Sequence, residues 1–281
     1  GGHPSSGCPS RHICEGRMQM DIIEKLQNAH SAEEIEQYLL DLDSEFRFKC
    51  HRCGKCCMNQ DTLLLTPRDI FNIAKKLGVT LELVIKLYAE VCIDRSSQIP
   101  LVNMVPVGRQ RRCPLLMDDG RCRVYDCKPT VCTLFPVGRV GDFQGTEDSD
   151  KEITRENMKI RYILNDYSCG SAQKVNTIRS WLARFNIPEE DEFFIQWSVA
   201  TANLGTMMQK LKNYCSEPTM GEIQFGLFWI LYVDYDTQQD FMPQFEQTVN
   251  KINKFCTALR ELGGGNVSGT ALFFVPVKGD E

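Results

Sequence analysis

Apolar spacing divides the chain into helical flanks around a middle that keeps no single period. Ile22, Ile23 and Leu26 form the first stripe, in a helix beginning near Asp21. A second stripe follows at Ile35, Tyr38, Leu39 and Leu42, after the capping-box pair Ser31 and Glu34. Two helices this short predict an antiparallel lid over another element, because neither is stable alone in water. Leu63-Leu64-Leu65 is a short strand candidate. Thr66-Pro67-Arg68-Asp69 reads as an N-cap, a proline at the first helical position and a first-turn acid. The helix it opens carries Ile70, Ile73, Ala74 and Leu77 on one face and stops at Gly78. Thr80 caps the next helix, with Leu83, Val84, Leu87 and Val91 as its face and Cys92 at its end as a small buried hydrophobe.

The period then breaks. Ile99 to Val107 alternates loosely and holds two prolines, which predicts an edge strand or extended segment. Arg109 to Arg112 reads as a solvated basic loop. Cys113–Leu116 and Cys122–Tyr125 predict a β-hairpin around Met117-Asp118-Asp119-Gly120, since Asp-Gly is a strong turn signal. Pro129 opens a helical turn through Cys132 toward Phe135-Pro136, and Gly138 to Lys151 predicts an acidic surface loop. Helical spacing returns at Ile178, Trp181, Leu182 and Phe185, and Asn186-Ile187-Pro188 ends that helix. Longer helices are predicted from Glu189 to about Tyr214 and from about Gln238 to Leu262. The last has Phe241, Phe245, Val249, Ile252 and Phe255 as its buried stripe, and Gly263-Gly264-Gly265 reads as its C-cap and loop. Phe225 to Val233, the longest apolar run, is about half the length a bilayer requires and reads as a buried core segment.

The expected fold is mainly α with a small β-hairpin or sheet, in which helices flank an irregular, cysteine-rich, metal-binding core. The expected divisions are a disordered leader or upstream extension at 1–17, N-terminal helices at 18–47, a cysteine-cluster domain at 48–175 and a helical region at 176–281. Composition changes little: 281 residues, 42% hydrophobic and 25% charged, are ordinary for a globular chain. A net charge of −5 gives no support to nucleic-acid binding, and no run predicts membrane insertion. Oligomeric state is not legible.

The cysteines do change the picture. There are 14 of them, and they admit either a disulfide framework or a thiolate metal site. Residues 1–20 hold no apolar run of the kind a secretion signal needs, which favours the reducing cytoplasm and a metal site. Cys50, Cys53, Cys56 and Cys57 fall within Cys-His-Arg-Cys-Gly-Lys-Cys-Cys. Two residues between cysteines let a tight loop aim both sulfurs at one point, and the run C-x2-C-x2-C matches the bacterial ferredoxin spacing. Gly54 relaxes the backbone inside it. The ferredoxin-type fourth cysteine followed by proline is missing, so a fourth ligand must come from elsewhere. Adjacent side chains usually diverge, so Cys56 and Cys57 serve different centres or different sides of one. With Cys113, Cys122 and Cys132 the middle offers seven sulfurs, enough for one four-cysteine cluster with spares or nearly two zinc sites. Thiolates are soft donors that suit zinc, iron–sulfur clusters or copper(I). His51 reads as a residue beside the site or exposed, and Arg52, Lys55 and Arg121 as cations flanking the thiols. Cys8, Cys14, Cys215 and Cys256 read as non-ligands.

The order Cys50-x2-Cys53-x2-Cys56-Cys57, then Cys113-Pro114-x-Leu116, Gly120-x-Cys122-x-Val124-Tyr125, Lys128-Pro129-x2-Cys132 and Phe135-Pro136 resembles the CxxCxxCC cysteine-cluster family. This family, also called the YkgJ family, comprises zinc- or iron-chelating domains. The resemblance spans roughly Phe48 to Gly170, where Cys169-Gly170 is similar to a late cysteine-glycine element of many members. Two departures stand out: Lys128 occupies a position where many members have arginine, and Cys127 is an additional cysteine. The resemblance implies metal chelation through Cys50, Cys53, Cys56, Cys57, Cys113, Cys122, Cys132 and Cys169. The implied cofactor is a 4Fe–4S cluster or iron, with zinc as the alternative. A zinc-stabilised module with a protein partner is one alternative function. An iron–sulfur-dependent protein-modifying enzyme is another, because a related cysteine-rich region occurs in flagellin lysine methylases.

Overall fold

The computed structural model describes residues 32–58, 63–143, 152–165, 167 and 169–261. Within them the chain is mixed α/β rather than mainly α, with eight α-helices and seven strands in three small antiparallel sheets. The helix expected near Asp21, Ser31 of the expected capping box, and the glycine run after Leu262 all lie outside the described residues.

Helix α1 (Ala32–Glu36) is a single short turn, and Leu40 then bridges to Tyr162 instead of extending the helix. Strand β1 (Glu45–Lys49) alternates, with Phe46 and Phe48 buried, and pairs with β7 (Ser171–Thr177). Strand β2 (Leu64–Leu65) leads into α2 (Pro67–Leu77). Thr66 caps α2 through a reciprocal box with Asp69, and Gly78 ends it at φ 66°. Both are local features that the sequence predicts.

Helix α3 (Leu81–Tyr88) corrects the expectation in two ways. Its buried residues are Leu81, Val84 and Ile85, whereas Leu83 and Leu87 are exposed. It also stops before Cys92, because β3 (Ala89–Ile93) takes ladder bonds from β4 (Pro100–Met104) along its whole length. This pairing buries Cys92 and leaves Val91 exposed. Strand β4 is central, in the order β2-β4-β3, and not an edge. Pro100 is tolerated because it is the first residue of the strand, and Pro106 lies beyond its end.

The expected hairpin over Cys113–Tyr125 reduces to one bridge, Leu116 to Cys122, around a turn closed by Met117 and Arg121. Pro114 has no N–H to donate, and the second arm coils into a 3-10 turn, Tyr125–Cys127, in place of a strand. After α4 (Thr130–Leu134), the expected surface loop is a strand, β5 (Val137–Phe143), paired along its length with β6 (Met158–Leu164). Gly138 and Gly141, which mark a loop in sequence, sit here because partner-strand side chains fill their places. A Cβ on Gly138 would come within 2.7 Å of Ile163 Cγ1.

The helical half consists of α5 (Ile178–Arg184), α6 (Glu192–Lys212), α7 (Glu217–Tyr232) and α8 (Phe241–Glu261). Helix α7 corrects the reading of Phe225–Val233 as wholly buried. Met220, Ile223, Leu227 and Leu231 face inward, but Phe225 is 65% exposed and Trp229 44%. In α8, Phe241, Phe245, Ile252 and Phe255 are buried as expected, and Val249 is partly buried.

These elements make two apolar cores. The larger joins α2, α3 and the β2-β4-β3 sheet to α6, α7 and α8. The smaller gathers Phe46, Phe48, Leu134, Val137, Tyr162, Ile178, Trp181 and Leu182. Trp181 is its centre: edge-on to Phe46 and Phe48 at 5.5 and 5.8 Å between ring centres, it donates from Nε1 to the Leu134 carbonyl at 2.7 Å. An aromatic buried in this way stabilises by roughly 3–5 kcal/mol over alanine. Its hydrogen bond also pins the end of α4, the helix that carries Cys132.

Candidate metal centre

Four segments bring the cysteines to one region at the boundary of the two cores. The first is the loop after β1. Arg52 and Gly54 both take positive φ, at 52° and 72°, and this folds Lys55–Cys57 into a 3-10 turn closed by Cys57 N–H to the Gly54 carbonyl at 2.9 Å. Gly54 lies against the Gly120 carbonyl, with a Cβ position 3.7 Å away, so the loop packs on the turn between Cys113 and Cys122. The second segment is that turn, held by Cys113 N–H donating to the Cys57 carbonyl at 2.8 Å.

The third segment is α4, which presents Cys132. Its first turn is held by a residue that local patterning does not reveal in this role. Asp69 is 3% exposed, and its Oδ2 accepts from the Thr66 backbone at 2.9 Å as part of the α2 cap. Its Oδ1 accepts from Thr130 N at 2.9 Å and from Thr130 Oγ1 at 3.1 Å. One buried carboxylate thus satisfies orphan N–H groups at the starts of two helices. The sequence identifies Asp69 as a first-turn acid, but no local pattern predicts a partner 61 positions away.

The fourth segment delivers Cys169. Lys49 pairs with Ser171, so Cys50 leaves β1 beside the Cys169-Gly170 turn. Gly170 has φ 72°, and a Cβ there would fall 2.6 Å from Phe48 Cε2 and 2.7 Å from the Lys49 carbonyl. Asn176 reinforces the junction by donating from Nδ2 to the Phe48 carbonyl at 2.9 Å.

Within this frame Cys56 contacts both neighbours, through hydrogen bonds with Cys57 and with Cys169. The Cys57 bond favours the Cys56 thiolate against the cost of burial, and Lys128 adds to the pull, so Cys56 is drawn well below the ordinary thiol range. Cys57, the donor of the pair, is pushed up by that bond, by burial and by the charges of Cys56, Cys113 and Cys132. Cys132 is pushed up by burial first, then by Cys113, Asp69 and Cys56. Cys113 is likewise raised, chiefly by burial, and its Sγ lies 3.5 Å from Met104 Sδ. Cys169 is pushed up to about 11 by burial, then by Cys56, Cys53 and Cys50. These are thiols crowded enough to resist simultaneous ionisation, the state a cation in their midst would relieve.

Placement of the remaining residues is uneven. Cys50 and Cys53 are exposed, and Arg52 N–H approaches Cys50 Sγ at 3.4 Å. Cys122 interacts with Cys113 and with Cys127, and Cys127 also lies near Lys76. His51 is exposed and bonded through Nε2 to Ser171 Oγ at 3.0 Å, beside the site as expected. Of the expected cations, Arg121 is paired with Asp119 and Arg52 lies over the Tyr125 ring. Lys128 adds to the lowering of Cys56 and only partly opposes the upward push on Cys132. Among the described residues no three His, Cys, Asp or Glu side chains stand in metal-holding positions, so the sulfurs converge without forming a finished coordination shell. The donor chemistry still fits zinc or iron: it is all soft sulfur, from the exposed Cys50 and Cys53 to the buried Cys169, and it is bordered by a lysine.

The described residues thus carry a loop-borne set of crowded thiols on a mixed α/β frame. Residues 49–159 match the model of the CxxCxxCC family, whose description is "Putative zinc- or iron-chelating domain". Cys169 and helices α5 to α8 lie outside the match. No match to the chain emerges among curated proteins or among solved structures. No described helix is long and apolar enough to cross a membrane.

Proposed function

We propose that this protein binds an iron–sulfur cluster through Cys50, Cys53 and Cys56 of the C-x2-C-x2-C run, with Cys169 as the remote fourth ligand. The observation that carries the reading is the approach of Cys169 to Cys56 across the β1–β7 junction. The ferredoxin-like run lacks its own fourth cysteine, and β-pairing brings one to the same place from beyond the matched domain. Cys57, Cys113, Cys122 and Cys132 extend the same donor region. When bound, the cluster would supply one-electron chemistry or a rigid structural node. Phe48 and Leu134, which share the smaller core with Cys169 and Cys56, would border a bound cluster on that side, and Lys128 would offset the negative charge of its thiolate ligands. The expected compartment is the reducing cytoplasm, where thiolates persist.

Exposed Phe225 and Trp229 on α7 favour a second reading, in which zinc holds the cysteine region together while the helical half receives a protein partner. Anaerobic purification, elemental analysis and an absorption spectrum separate the two. Iron with stoichiometric acid-labile sulfide and broad visible absorption supports the cluster. Stoichiometric zinc in a colourless protein contradicts it and supports the second reading.

A further inference from the structure

We propose that the basic face around the exposed Cys50 and Cys53 is the docking surface for a protein partner that presents an acidic patch. The proposal goes beyond the metal reading and holds whichever metal the thiols take.

Charge is spread unevenly along this chain. Residues 47–57 and 109–128 hold ten lysines and arginines against three aspartates, in a molecule whose net charge is −5. The fold gathers these segments together. Gly54 packs on the Gly120 carbonyl, and Cys113 N–H donates to the Cys57 carbonyl. A bridge between Val107 and Arg112 sets the turn carrying Arg109 next to Cys113. The three aspartates are already engaged: Asp118 by Arg112, Asp119 by Arg121 and Asp126 by Lys76. Among the described residues, Lys49, Arg52, Lys55, Arg109, Arg123 and Lys128 form no ion pair, and all but Lys128 are exposed. Cations gathered without carboxylates repel one another, and an acidic partner relieves that repulsion while the field steers its approach.

Tyr125 gives the face a centre. It is 46% exposed, with Arg52 Cζ 5.3 Å and Lys128 Nζ 5.1 Å from its ring centre. Lys128 also lies 5.4 Å from the centre of the Phe185 ring. Tyrosine and arginine together are the side chains that anchor protein interfaces. A nucleic-acid base stacking on this ring would have to displace the cations held against it. Outside the two segments, 34 acidic residues against 22 basic ones also repel a long polyanion. Both observations favour a compact acidic protein surface over nucleic acid. Cys50 and Cys53 are exposed within this face, so a docked partner lies against their thiols.

Fluorescence anisotropy on the purified full-length protein tests the surface, with a labelled oligo-glutamate peptide and a labelled oligothymidine of equal charge as probes. The peptide is expected to bind more tightly than oligothymidine and to be released by added salt. Lys55→Glu, Arg109→Glu and Arg123→Glu combined should weaken the peptide by about tenfold. Lys86→Glu, Lys212→Glu and Lys254→Glu combined make the same change in net charge on exposed positions elsewhere, and should weaken it far less. Tyr125→Ala leaves the charge unchanged but releases Arg52 and Lys128, and should weaken the peptide roughly threefold, whereas Tyr125→Phe should not. Should the first triple variant fail to fold, the two Tyr125 variants decide. Absence of peptide binding, equal loss in both triple variants, or unchanged binding in Tyr125→Ala overturns the docking surface. Tighter binding of oligothymidine assigns the face to nucleic acid and overturns the protein partner. Loss of the metal reading changes none of these outcomes.

Discussion

Gly170 shows how a single residue positions the candidate centre. Its φ of 72° and the 2.6 Å approach of a Cβ to Phe48 leave no room for a side chain. Gly170→Ala should therefore lower stability by about 1–3 kcal/mol, measured by urea unfolding, and should weaken metal retention by displacing Cys169. Asp69→Ala removes the acceptor for the starts of both α2 and α4 and should cost about 2–3 kcal/mol. A chelator competition should also show weaker metal binding, since Cys132 lies on α4. At this scale the sequence is legible where the physics is local. The caps at Thr66 and Thr80 and the stop at Gly78 follow from residues within a turn of each other. The second bond of Asp69 and the contact of Gly170 with Phe48 depend on segments far apart in the chain, and nothing near either residue announces them.

Among the elements, the junction of α2, β5 and α6 is held by a buried charge cluster. Asp191 accepts from Arg68 at 2.9 and 2.7 Å and from Arg139 at 3.0 Å. The guanidinium of Arg68 also lies over Phe193, and that of Arg139 over Phe194. Burial raises the Asp191 carboxyl, but the hydrogen bonds and charges of Arg68 and Arg139 outweigh it and hold the group below the ordinary carboxylate range. A depressed folded value means that the cluster stabilises the fold above the ordinary carboxylate pKa. That contribution is lost as pH falls through the depressed value. Asp191→Asn should cost about 3 kcal/mol or more near neutral pH, because two arginines lose their partner. Its urea midpoint should also fall less steeply with acid than that of the unmodified protein. Parallel slopes in the two proteins would contradict the assignment. The sequence expects β5 as a loop because glycines and acids dominate the composition there. Its partner strand supplies the missing side-chain volume, which composition alone does not reveal.

For the whole molecule, two apolar cores meet along a cysteine-bearing boundary, and the sequence reaches this arrangement only in part. The C-x2-C-x2-C run, the cysteines at 113 and 132, and the helices between them are all legible because spacing and periodicity encode them. The route by which Cys169 returns to Cys56 is not, since it depends on pairing between β1 and β7. Thiolate coordination in such a region is part of folding stability, so metal retention and fold should fail together.

The most direct measurement is metal content per chain in Cys53→Ser, compared with Cys215→Ser, after anaerobic purification. Cys53 stands in the run facing Cys169, while Cys215 interacts with no other cysteine among the described residues. Loss of metal from Cys53→Ser, with full occupancy in Cys215→Ser, is the predicted result. Full occupancy in Cys53→Ser would contradict the account at its centre.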